Sequence, residues 1–167
     1  MAITYETHSK FLPDDSFQSL KNLISGPEFP WRLRNRMTSA TDDDQMYFSY
    51  SFYNSFKPTS EFYEPYIIPI LNKLEARAPI QIRSNMFLSK LFKKSNWHRD
   101  YNFDRTSAIL YLNDCSGGTE LKIEDKIIFI KAEANKILVF DGSILHRAVT
   151  SEQPIRYILN FNYFTAP

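Results

Sequence analysis

The chain has 167 residues, of which 43% are hydrophobic and 23% charged, with a formal net charge of +1. A chain of this length buries roughly 70% of its unfolded surface and is too short for two ordinary domains, so residues 1–167 read as one domain. Near-neutrality offers no electrostatic case for nucleic acid or an anionic membrane as a bulk partner, no apolar run is long enough to span a bilayer, and the opening Met1-Ala2-Ile3-Thr4-Tyr5-Glu6 lacks the basic-then-apolar layout of a signal peptide. The expectation is a soluble, cytoplasmic protein, with no sequence signal for its oligomeric state. Cys115 is the only cysteine. It precedes Gly117-Gly118 in what reads as a turn, with no neighbouring cationic cluster to activate it, so neither a disulfide nor a reactive thiol is expected.

In chain order, Asp14-Asp15-Ser16 stand ahead of Phe17, Leu20 and Ile24 at helical spacing, with Gly26-Pro27 as a stop. This predicts a capped amphipathic helix over about 15–25. Asp42-Asp43-Asp44 reads as a solvated turn, because it lacks the spaced oxygen ligands of a calcium loop. From Met46 onward, Phe48, Tyr50, Phe52 and Phe56 share one strand face and Tyr47, Ser49, Ser51 and Tyr53 the other. Such aromatic alternation can stack bases, but no basic residue occurs from Thr38 to Phe56, which favours core packing. A second helix starts near Ser60 or Pro65 with Ile67, Ile70, Leu71 and Leu74 on one face, and Pro69 imposes a kink or a later start.

Strands are predicted near 47–54, 80–89, 97–101, 106–113, 119–123, 126–131, 136–141, 145–149 and 155–164, separated by turn residues at Gly117-Gly118, Glu124-Asp125 and Glu133-Ala134-Asn135. Many short strands after two helices predict a mainly β fold: a double-stranded β-helix, or cupin-like jelly roll, buttressed by two or three helices. The supporting helices fall within about 1–76 and the β core within about 80–164.

Chemistry concentrates in that core. His98 and Asp100 form an H-x-D pair, His146 follows 46 residues after Asp100, and Arg156 follows ten residues later. On an extended strand His98 and Asp100 point the same way and Arg99 points away. Two imidazoles and one carboxylate can hold one face of a metal ion and leave the other open, the arrangement of non-haem Fe(II) oxygenases. In the last strand Arg156, Ile158, Asn160 and Asn162 share one face, with Tyr157, Leu159, Phe161 and Tyr163 opposite. If that strand lines a barrel, Arg156 offers a bidentate fork to a carboxylate; on an open sheet it is an ordinary surface residue.

The stretch from Ile80 to Tyr163, with its H-x-D…H…R pattern, Ile109 to Asn113, Gly117 to Leu121 and Ile137 to Gly142, resembles the Fe(II)/2-oxoglutarate-dependent dioxygenases. Within that family it resembles the small prolyl 4-hydroxylase-like members, including phage-borne forms. It implies that His98, Asp100 and His146 hold Fe(II), that Arg156 pairs with the far carboxylate of 2-oxoglutarate, and that Tyr111 helps bind that carboxylate. Asn160 and Asn85 are further co-substrate candidates; a solvated face explains Asn85, with Gln81 and Arg83, equally well. Trp97 and Arg99, which flank the ligand segment, and Asn162, near the barrel mouth by parity, are candidates for contacting substrate or for packing.

The implied activity is an O2-consuming hydroxylation of an unactivated C–H bond, most simply on a prolyl residue of a peptide or protein. The same site would serve a free amino acid, a nucleobase or a small metabolite. An ascorbate-type reductant suits the same reducing compartment, the cytoplasm of a bacterial cell or of a phage's host. A cupin-type non-oxygenase would not need Arg156, and a silent binding module would not need the ligand set. Nucleic acid as substrate gains nothing from the near-neutral charge.

Overall fold

In a computed structural model that describes residues 4–35, 46–89 and 93–166, the strand-forming stretches assemble into two antiparallel sheets. Asp42-Asp43-Asp44 lies outside the described residues. The larger sheet runs in the order β1 (Tyr5–His8), β9 (Lys136–Asp141), β6 (Thr106–Tyr111), β11 (Ile155–Phe164), β5 (Ala78–Leu88), β3 (Tyr47–Asn54) and β2 (Arg32–Arg34), with β4 (Lys57–Pro58) paired to β3. The smaller sheet is β10 (Leu145–Val149), β7 (Gly118–Ile123) and β8 (Lys126–Lys131). From β6 to β11 the chain passes back and forth between the sheets, so the two layers face each other as a jelly roll.

Helix α1 (Asp14–Ser25) forms where the spacing of Phe17, Leu20 and Ile24 requires it, and all three side chains are buried. Its start differs from the predicted cap: Pro13 occupies the N-cap, no side chain caps the helix, and Asp14 and Asp15 lie in the first turn, where their charge suits the helix dipole. Gly26 ends the helix with extended backbone. The second helix begins late. A π-helical turn, Tyr63–Ile67, leads into α2 (Ile68–Lys73), which carries Pro69 at its start; lacking an N–H, proline cannot sit inside an α ladder and is tolerated only in the first turn.

The sheets and helices enclose two cores. Phe17, Leu20, Ile24, Ile67 and Ile70 pack with Phe52, Leu159 and Phe161 between the helices and the large sheet. Phe87, Ile109, Leu121, Leu138 and Ile158 pack between the sheets. Strand β11, flanked by β5 and β6, is therefore covered on both faces, and the inward row Arg156, Ile158, Asn160 and Asn162 is buried throughout. No helix among the described residues is long and apolar enough to cross a membrane.

Two expectations are corrected. Phe56 does not join the aromatic core face: Ser55 and Phe56 adopt φ of 52° and 63° in the turn after β3, which leaves Phe56 90% exposed. Residues 97–101 do not form a strand; only the isolated bridge His98↔His146 is made there. Ser95-Asn96 and Asn102 flank the segment and Asp100 lies within it, residue types whose side chains compete with a ladder for hydrogen bonds. Sequence patterning also missed β1, whose four residues are all exposed and show no alternation.

Glycine matters most at Gly118. A Cβ there would lie 2.1 Å from the carbonyl oxygen of Ile130 on the paired strand β8. Gly118→Ala is expected to destabilise the fold by about 2 kcal/mol, the scale of a core clash, which for this chain length lowers the melting temperature by roughly 4–8 °C in calorimetry. An unchanged melting temperature would show that β7 and β8 can separate freely.

Candidate metal and co-substrate site

His146 projects from β10 into the space between the sheets, while His98 and Asp100 come from the segment between β5 and β6. Paired backbone bonds of 3.0 Å, His98 N to His146 O and His146 N to His98 O, hold the two histidines side by side. Their ring centroids are 4.5 Å apart. Asp100 Oδ1 lies 3.7 Å from His98 Nε2 and 3.9 Å from His146 Nε2. All three ligand atoms fall within 4.8 Å of one another, close enough to share one metal ion.

Each imidazole is also oriented from behind. His98 Nδ1 lies 3.0 Å from the Asn96 carbonyl oxygen and His146 Nδ1 lies 3.3 Å from that of Ile144. Donation from Nδ1 leaves Nε2 with its lone pair facing Asp100, as a metal-binding histidine requires. Burial pushes His146 down to about 4 against the opposing pull of Asp100, so its ring is neutral at pH 7.

Burial alone would raise the Asp100 pKa, but the charges of His146, Arg83 and His98 and the Asn162 hydrogen bond outweigh it. They hold the carboxyl well below the usual carboxylate range. Its second oxygen, Oδ2, accepts from Asn162 Nδ2 at 2.8 Å and Asn160 Nδ2 at 3.3 Å. Asn162 Oδ1 in turn accepts from Arg105 Nε at 3.1 Å and Ser107 Oγ at 2.9 Å. Asn162 is 1% exposed and so stands behind the aspartate, away from the mouth where parity placed it. Asn162→Ala is expected to weaken metal binding 10- to 100-fold, roughly the effect of losing a partner that orients a ligand. Calorimetric titration with Mn(II) measures it, and an unchanged affinity would remove Asn162 from that role.

Arg156 is 1% exposed. Its Nη2 donates to Thr119 Oγ1 at 3.2 Å, while Nε and Nη1 are buried with no hydrogen-bond partner. Its guanidinium carbon lies 5.1 Å from the centroid of the Phe87 ring and 5.7 Å from that of Tyr111. No salt bridge to Arg156 occurs among the described residues. Tyr111 donates its hydroxyl to Thr119 Oγ1 at 2.9 Å. Burial pushes the Tyr111 phenol up to about 12, against Arg156 and the Thr119 hydrogen bond, so it stays a neutral donor. A buried cation with idle donors is costly unless an anion completes it.

The triad and the guanidinium line one cavity that opens to solvent, about 450 Å³ with the open space at its mouth included. Asn85 also lines it, buried, with Oδ1 unpartnered; so does Asn160. Trp97 packs under Arg147, whose guanidinium carbon lies 4.2 Å from its ring centroid, and Arg99 Nε donates to the Ser143 carbonyl. Neither Trp97 nor Arg99 lines the cavity. Thr119 and Arg83 do, and sequence reasoning passed over both. The alternation Thr119, Leu121 in β7 signalled the first; Arg83, on the same β5 face as Asn85, was visible but indistinguishable from a solvated row.

No protein-family model and no curated protein matches the chain in sequence. Solved structures do resemble it. A prolyl-4-hydroxylase of Pseudomonas putida aligns over 99% of this chain and 94% of its own at 14% identity and a TM-score of 0.71. A 2OG-Fe(II) oxygenase family protein of Burkholderia pseudomallei aligns over 96% and 84% at 11% identity and 0.76. A viral collagen prolyl hydroxylase from Paramecium Bursaria Chlorella virus-1, solved as its 2OG complex, aligns over 96% of both chains at 16% identity and 0.60. The polypeptide described here is thus folded as the 2OG-Fe(II) oxygenases are.

Proposed function

We propose that this protein is an Fe(II)- and 2-oxoglutarate-dependent dioxygenase that hydroxylates an unactivated C–H bond. The observation that carries the reading is Arg156: a fully buried guanidinium with two unpartnered nitrogens, opening on the same cavity as a two-histidine, one-aspartate cluster. The donor set fits Fe(II), since neutral imidazole and carboxylate suit a divalent first-row metal and three ligands leave positions open. When bound, ferrous iron supplies the oxidising chemistry that couples decarboxylation of 2-oxoglutarate to succinate with insertion of oxygen into C–H.

The chain's residues do the rest. His98, Asp100 and His146 hold the metal on one side, and Asn160 and Asn162 fix the rotation of the Asp100 carboxylate. Arg156 anchors the far carboxylate of 2-oxoglutarate through a bidentate fork, with Thr119 and the Tyr111 hydroxyl beside it. The apolar walls, Phe87, Ile109 and Ile158, exclude water around that ion pair and strengthen it. A prolyl residue of a peptide or protein is the first substrate to test, because two of the structural neighbours named above are prolyl hydroxylases.

The test is anaerobic addition of Fe(II) and 2-oxoglutarate, watching for the visible charge-transfer band of the chelate, followed by oxygen and quantification of succinate. Proline-containing peptides are then screened by mass for a gain of one oxygen. Absence of the band and of succinate overturns the oxygenase reading; succinate without any peptide product points to another acceptor.

A further inference from the structure

Arg83 sets a second charge problem in the same cavity. It lies on β5 opposite Asn160 of β11, while Phe87, opposite Arg156, is four residues further along the strand. The two arginine positions are therefore about 13 Å apart along the sheet at 3.3 Å per residue. Arg83 lines the cavity with its side chain 25% exposed, and its Nε is buried without a hydrogen-bond partner. Its one ion-pair partner among the described residues is Asp100 Oδ1, at 4.0 Å. That is the same oxygen that faces both histidine Nε2 atoms.

A cation bound by the triad would take Asp100 Oδ1 as a ligand and so compete with Arg83 for its only counterion. The two positive charges of the ion and the one of Arg156 are cancelled by Asp100 and dianionic 2-oxoglutarate together, which leaves the Arg83 charge uncompensated beside the reacting centre. At the rim the balance tilts the same way: Glu120 alone serves both Lys94 Nζ, at 2.6 Å, and Arg147 Nε, at 2.7 Å. A partly buried guanidinium whose Nε is out of reach of water and unpartnered calls for an anion.

We propose that the substrate carries an anionic group, a carboxylate or a phosphate, and that Arg83 is the residue that receives it. This rests on the oxygenase reading above. Arg83 would thus select among acceptors, taking acidic ones over neutral ones of the same shape.

The experiment uses protein loaded with Mn(II) and saturating 2-oxoglutarate, titrated calorimetrically with matched pairs. The pairs are N-acetylproline and its amide, acetyl-Glu-Pro-amide and acetyl-Gln-Pro-amide, and acetyl-phosphoSer-Pro-amide and acetyl-Ser-Pro-amide. In at least one pair the charged member is expected to bind about 10- to 100-fold more tightly, the range of a hydrogen bond to a charged group. Which pair shows the preference distinguishes carboxylate from phosphate. Arg83→Gln is expected to erase the preference, and Arg83→Lys to retain part of it, which separates a lost recognition group from a damaged fold.

Equal binding within every pair, no binding by any charged member, or a preference that survives Arg83→Gln overturns the proposal. So does a Gln variant whose loss falls on 2-oxoglutarate affinity instead, since Arg83 would then serve the co-substrate. Failure of the parent reading is seen separately, as absence of the Fe(II)·2-oxoglutarate band in the unsubstituted protein.

Discussion

Arg156→Met is expected to weaken 2-oxoglutarate binding by about two to three orders of magnitude while making the unloaded protein more stable. The loss follows from removing one partner of a buried, charge-assisted contact, which costs about 2–5 kcal/mol. The gain has the same origin. Without ligand, Nε and Nη1 are desolvated and unpartnered, and exchanging such a group for an apolar side chain of similar length removes a penalty of about 1–3 kcal/mol. Net of altered packing, about 1 kcal/mol raises the melting temperature of a chain this size by roughly 2–4 °C. Calorimetry without ligand and an anaerobic titration with Fe(II) and 2-oxoglutarate measure the two effects. Arg156→Lys keeps the charge but not the fork and should fall between. Co-substrate affinity unchanged by Arg156→Met would remove the guanidinium from the site.

His146→Ala and His98→Ala are each expected to reduce Mn(II) or Fe(II) affinity by more than the roughly 100-fold upper range seen for outer-shell partners. Each takes away one of the three proposed ligands, and the remaining histidine and Asp100 cannot define a face on the ion. The variants should differ in collateral effect. His146 lies within β10, where five register pairs tie it to β7, so its backbone survives truncation. His98 belongs to a segment without such support, and its loss should also disturb Trp97 under Arg147. Metal titration followed by circular dichroism separates the two, and full metal affinity in either variant would exclude that histidine as a ligand.

Where strands alternate cleanly, sequence parity gave the inward face well. The inward row of β11 was legible because Tyr157, Leu159, Phe161 and Tyr163 define the opposite face without exception, and the structure buries the inward row and all of the opposite one but Tyr157, which is half-buried. The strands from β5 to β11 fall close to their predicted limits for the same reason. The parity argument for His98 and Asp100 assumed a strand that does not exist; they converge because His98 bridges His146 and because Asn160 and Asn162 draw the Asp100 carboxylate inward. That depends on contacts more than 40 residues apart in sequence, which no local pattern encodes. Asn162 was misplaced by parity because alternation gives a residue's face but not its depth. Arg83 was passed over because a row of Gln81, Arg83 and Asn85 looks the same whether it meets water or a cavity.

Two of the three proposed ligands ride on a stretch, Lys93 to Asp104, that forms no strand of its own; backbone bonds at Lys93, Ser95 and His98 tie its first half to β10 and the turn after it. From Arg99 to Asp104 the hold is through side chains, Arg99 to the Ser143 carbonyl, Asp100 to Asn160 and Asn162, and Arg105 to the carbonyls of Tyr101 and Phe103. No strand ladder stands against local opening there, and a bound ion would add a further fastening, converting coordination energy into local order. Amide exchange along Arg99–Asp104 should slow on metallation while the ladder of β11 with β5 and β6 exchanges at nearly the same rate, so that this strap reports whether the centre is loaded.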